Sequence, residues 1–112
     1  MNLKIHTKLR GGTVVLEVAG EVDLYSSPQL RKAILTLTRK RARHIVVDLA
    51  KVAYMDSSGV ATLVEGLQQM KIYNGRFSLS GMRQNVRQVF ELTRLDTLFR
   101  VYQTSEAALA DD

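Results

Sequence analysis

The chain has no cysteine, a single proline and only two histidines among its 112 residues. Without cysteine there can be no disulfide, no thiolate catalysis and no cysteine-ligated zinc, and a reducing compartment fits this usage. His6 and His44 are far apart in sequence and neither belongs to a ligand-spaced pair, so no metal site is expected. No apolar run approaches the ~20 residues of a membrane span, and the opening MNLKIHTK has no signal-peptide core. A cytoplasmic protein is expected. The chain also lacks a GxxxxGK phosphate loop and a GxSxG serine elbow, so it reads as a non-enzyme with no cofactor of its own.

What is present suits one domain spanning 1–112, large enough to bury roughly 65% of its unfolded surface. The net charge of +5 raises the question of nucleic acid. However, Arg39, Lys40, Arg41 and Arg43 cluster where a helical pattern ends, a favourable place for cations beside a helix dipole. No strand carries paired aromatics for stacking bases, so direct nucleic-acid binding is not expected.

Leu3, Ile5, Thr7 and Leu9 alternate with polar residues, and Gly11-Gly12 turns the chain into TVVLEVA, Thr13 to Ala19, which together read as a hairpin. Ser27 reads as an N-cap with Pro28 opening a helix over about 27–41. Ile45-Val46-Val47-Asp48-Leu49 is short and apolar on both faces, as expected of a strand at the centre of a sheet. Val60, Leu63, Val64, Leu67 and Met70 fall on one face of a second helix, about 58–73, with Asn74-Gly75 as its stop. A strand over 76–80, a helix near 83–93, a short strand at Val101-Tyr102 and a terminal helix at 105–109 complete the pattern. The fold class is α/β, a mixed sheet of four to five strands with an N-terminal hairpin, covered by about four helices.

In such sheets functional sites lie beyond the carboxyl ends of the strands. Two segments there carry hydroxyls and carboxylates: Gly20 to Ser27, GEVDLYSS, and Asp56-Ser57-Ser58-Gly59, DSSG. Either serine of DSSG can cap the second helix, and Asp56 is favourable at its positive end. Gly59 removes a side chain from the first turn. The same helix end could hold an anion, so a phosphate on one of these serines would meet inward-pointing amides. Gly66 within the helix marks close packing, expected inside the domain. Tyr25 and Tyr54 flank the two loops, either as recognition aromatics or as rim of the core.

Together these residues resemble the STAS domain of the anti-sigma factor antagonist family. GEVDLY matches the family's GEhD stretch, where h is apolar. IVVDL followed by YMDSSGV matches its strand, phosphorylation loop and second helix, and Phe90 to Asp96, FELTRLD, matches its third helix and following turn. The likeness covers nearly the whole chain.

The resemblance implies that Ser57, directly after the aspartate, is a phosphoacceptor, and leaves Ser58 as the expected helix cap. It implies an anti-sigma factor that is also a serine kinase and carries the ATP, and a metal-dependent phosphatase that reverses the reaction. With Ser57 free, a surface including Asp23, Asp56, Ser58, Gly59, Glu65, Gln68 and Gln69 would dock on that partner. With Ser57 phosphorylated, affinity would fall. The alternative is an accessory STAS subunit of a membrane lipid-transport complex, bracing a permease with the same face.

Overall fold

Alternating apolar residues in the first two strands and β-branched runs in the third build a sheet whose core side is closed by helices. In this computed structural model, residues 3–111 are described; Met1, Asn2 and Asp112 of the expected span lie outside the described residues. The elements are β1 (Lys4–Arg10), β2 (Thr13–Val22), α1 (Ser27–Arg39), β3 (His44–Met55), α2 (Ser57–Ile72), β4 (Arg76–Ser80), α3 (Gln84–Leu92), β5 (Arg100–Tyr102) and α4 (Ser105–Ala110).

The strands lie side by side in chain order, with β1 antiparallel to β2 and every later pair parallel. The short apolar run of β3 is central, as expected of a strand buried on both faces. Leu16, Val18, Ile45, Val47, Leu49 and Leu79 meet Leu30 and Ile34 of α1, Leu63 and Met70 of α2, and Val86 and Phe90 of α3 in the main core. On the other face, α4 covers Val15 and Val46 through Ala108 and Leu109.

Two strands run further than their apolar patterns suggest. β2 continues through Gly20-Glu21-Val22, and β3 continues to Met55, so residues expected in loops are paired: Glu21 with Tyr54 and Val22 with Met55. Register shifts flank Ala19 and Gly20, where Gly20 takes φ +123°, and these bulges hide the alternation that would have extended the strand. Val22, Val52 and Met55 are buried and hold the extension in the core.

Gly66 sits where α2 approaches α1 and β4: a Cβ there would lie 2.9 Å from Ile34 Cγ2 and 3.0 Å from Phe77 Cζ. Its role is packing within the domain. The stop of α2 is made by Asn74, at φ +61°, while the Gly75 amide donates to the Met70 carbonyl at 2.8 Å.

Candidate functional site

The extension of β2 and β3 brings the two polar loops together. The Asp56 amide donates to the Val22 carbonyl at 3.0 Å, directly linking the end of β3 to the residue before Asp23. GEVD and DSSG therefore form one edge of the molecule, at the carboxyl ends of parallel strands.

Asp56 is the N-cap of α2, with extended backbone, and its Oδ1 accepts from the Ser58 amide at 2.9 Å and from Ser58 Oγ at 2.5 Å. This corrects the expectation that Ser58 is the cap. Met55 is buried at the end of β3, which fixes Asp56 as the junction residue and places Ser57 and Ser58 inside the first turn. The Gly59 amide also donates to the Asp56 carbonyl at 3.1 Å. The Ser58 and Gly59 amides, which an anion at this helix end would seek, thus already serve Asp56. An exposed hydroxyl at Ser57 and a half-buried, hydrogen-bonded one at Ser58 result.

Gly59 is buried against the strand ends. A Cβ on it would stand 2.6 Å from Met55 Cγ and 2.7 Å from Val22 Cγ1. The first turn of α2 therefore sits directly on the sheet, and Ser57 is held at its outer side.

The second loop is rigidified by a reciprocal pair. Asp23 Oδ1 accepts from the Tyr25 and Ser26 amides, both at 3.0 Å, while Ser26 Oγ accepts from the Asp23 amide at 3.0 Å and donates to the Glu21 carbonyl at 2.7 Å. Ser26, not Ser27, is the residue before α1, and its hydroxyl is spent on this loop instead of capping the helix. Sequence reasoning missed Ser26, although Asp and Ser three residues apart before a helix is the available signal. Hydrogen bonding from the Ser26 amide, aided by Tyr25, holds the Asp23 carboxyl below its ordinary range. A depressed folded-state value contributes stability above the unfolded value near 4, and that stability is lost as pH falls through the folded value. Asp23→Ala should therefore lower Tm at neutral pH, and the gap from the parent should narrow as pH is taken below about 4. Thermal melts of both proteins across pH 3–7 measure this; a gap independent of pH would remove the carboxylate from the turn.

The rim is apolar. Leu24 is 68% exposed, Tyr25 87% and Tyr54 47%, so neither tyrosine fills the core edge. Exposed aromatics beside a rigid loop are the composition of a recognition surface.

Along α2, Ser57, Ala61 and Gln68 are exposed and share one stripe, which ends at the exposed Ile72. The other two helix residues expected on the docking face behave differently. Glu65 is half-buried and forms a two-pronged ion pair with Arg31 of α1, at 2.7 and 2.8 Å, which holds its carboxyl below the usual range. Gln69 is half-buried as well, because at ~100° per residue it stands about 120° round the helix from Ser57. Among the described residues no group of acidic and histidine side chains could hold a metal ion, and no helix is long and apolar enough to cross a membrane. His44 is buried, with Nε2 3.0 Å from Ser78 Oγ.

Residues 4–108 match the family model of the STAS domain. The anti-sigma-B factor antagonist of Staphylococcus aureus (strain NCTC 8325) is 30% identical over 106 residues, covering 95% of this chain and 98% of the relative. Among solved structures, an anti-sigma factor antagonist from Mycobacterium paratuberculosis superposes with a TM-score of 0.90 at 27% identity, over 97% of this chain and 92% of that one. The Bacillus cell fate determinant SpoIIAA in its phosphorylated form matches with a TM-score of 0.76 at 25% identity, over 96% and 98% of the two chains.

Proposed function

Since the chain belongs to the STAS domain family, we propose that it is an anti-sigma factor antagonist whose binding is switched by phosphorylation of Ser57. The observation that carries this reading is the difference between two adjacent hydroxyls: Ser57 is exposed at the outer side of the first turn, whereas Ser58 is half-buried and donates to Asp56. A kinase active site needs a hydroxyl it can surround. Relatives named for antagonism, and one solved in a phosphorylated form, support the same reading.

In the unphosphorylated state the Leu24–Tyr25–Tyr54 rim and the Ser57–Ala61–Gln68 stripe form the docking surface for an anti-sigma factor that is also a serine kinase and brings the ATP. Asp23 and Asp56 act chiefly by holding the two loops in place. Transfer moves the γ-phosphoryl group to Ser57 Oγ, whose proton leaves to a base on the kinase. The product carries about −1.5 to −2 of added charge beside the Asp56 carboxylate. Because Asp56 already accepts from the Ser58, Gly59 and Val60 amides, the phosphate gains little from them and stays at the surface, where it repels the partner without remodelling the fold. A metal-dependent phosphatase restores the hydroxyl. This chain is the substrate in both steps.

Incubating the protein with ATP and a candidate anti-sigma kinase, followed by mass spectrometry, should place one phosphate on Ser57 and none on Ser57→Ala. Phosphate on Ser58 would reverse the assignment. No phosphate, together with retention by a permease complex, would favour the transport role instead.

A further inference from the structure

The opposite end of the molecule holds a cleft of about 530 Å³ that the switch does not use. It lies at the amino ends of β3 and β4, beside the Gly11-Gly12 hairpin turn, with Arg43 and Arg76 lining it. Its volume falls in the ~300–1,000 Å³ range of ligand clefts, and its lining combines the Tyr73 ring and three glycines with the cationic Arg43 and Arg76; no carboxylate is among its described lining residues, and Asp111 stands beside Arg76. Thr13 and His44, both buried polar residues, also line it, and Asn74 contributes to its wall.

Helix ends account for only part of the positive charge here. Arg39 and Lys71 stand in the last turns of α1 and α2, where the dipole favours them. Arg41 lies over the Tyr73 ring, 5.5 Å from its centroid. Arg43 and Arg76 have a different setting. They mark the starts of two neighbouring strands, where the Arg76 amide donates to the Arg43 carbonyl at 2.8 Å and His44 pairs with Arg76. Arg76 Nη2 also donates to the Asp111 carbonyl at 2.9 Å, which helps fix its position. Arg43 is exposed and precedes the buried His44, so the sheet holds its backbone rigidly while its guanidinium borders the cleft. The exposed Arg43 guanidinium, just before β3 and beside the Gly11-Gly12 and Asn74-Gly75 turns, suits the paired oxygens of a phosphate group, while Arg76, already held by Asp111, adds positive charge to the wall.

We propose that this cleft binds a small phosphorylated anion, independently of the Ser57 switch. Inorganic pyrophosphate is the probe. Titrated into the isotopically labelled full chain at fixed ionic strength, it should give saturable amide shifts confined to Gly11, Gly12, Asn74, Gly75 and their neighbours. Arg43→Glu should weaken binding at least tenfold, while Lys32→Glu, the same charge change on exposed α1, should alter it less than twofold. Shifts that never saturate, or equal losses in both variants, would overturn the site as general electrostatics. Retention on anionic phospholipid vesicles or duplex DNA without saturable pyrophosphate binding would overturn it in favour of an extended cationic surface.

Discussion

Ser57→Asp is expected to bind the anti-sigma partner at least a hundredfold more weakly than the parent, with unchanged helix content and a Tm within a few degrees. The substitution puts a carboxylate at an exposed first-turn position, one residue from Asp56, so the folded state loses no packed atom. In the complex the same group faces the cost of burying an unpaired charge, several kcal/mol after relaxation, and each ~1.4 kcal/mol is a factor of ten. Ser57→Ala keeps the surface neutral and should bind as the parent does, but without release by ATP. Calorimetric titration of all three proteins against the partner checks this. Equal affinity of Ser57→Asp and the parent would take the site off the interface.

Gly59→Val should produce the largest loss of stability of any single change at the site. A Cβ at 2.6 Å from Met55 and 2.7 Å from Val22 is impossible without displacement, and both neighbours are buried at the ends of their strands. The added γ-methyl groups deepen the conflict. Overpacking typically costs 1–3 kcal/mol, and this site, closed on two sides, should lie at about 3 kcal/mol or above. Against a total stability of roughly 5–15 kcal/mol, that corresponds to a fall in Tm of about 10 °C or more. Urea denaturation with an unchanged slope would give the figure directly; a loss below about 1 kcal/mol would mean that the helix can ride up off the sheet.

The outline of this fold was legible because its signals are local. Ile45 to Leu49 could hardly be anything but an interior strand, and Asn74-Gly75 marked the end of α2. The family likeness at GEVD and YMDSSGV identified the same edge that strand pairing later assembled. What escaped was decided across the fold. Asp56, Ser57 and Ser58 are all competent caps, and only the burial of Met55 fixes which of them stands at the junction. Glu65 reads as a solvated helix residue until α1 places Arg31 within 2.7 Å of it. The bulges around Gly20 shift the alternation of β2, so three strand residues looked like loop. Ser26 was hidden for a further reason, since its hydroxyl is used before the helix begins.

The chain-order arrangement of the sheet also bears on how the domain is made. Each strand lies beside the one synthesised just before it, and no strand waits for a partner from the far end of the polypeptide. The hairpin closes a two-residue turn, and each later pairing closes only one helical crossover, so the entropic penalty of loop closure stays small at every step. Parallel pairs joined by such crossovers form more slowly than helical contacts, but none of them here spans more than one crossover. The sheet can therefore grow outward from the hairpin by accretion, and the edge that carries Ser57 is assembled once β3 has docked and α2 has closed over it.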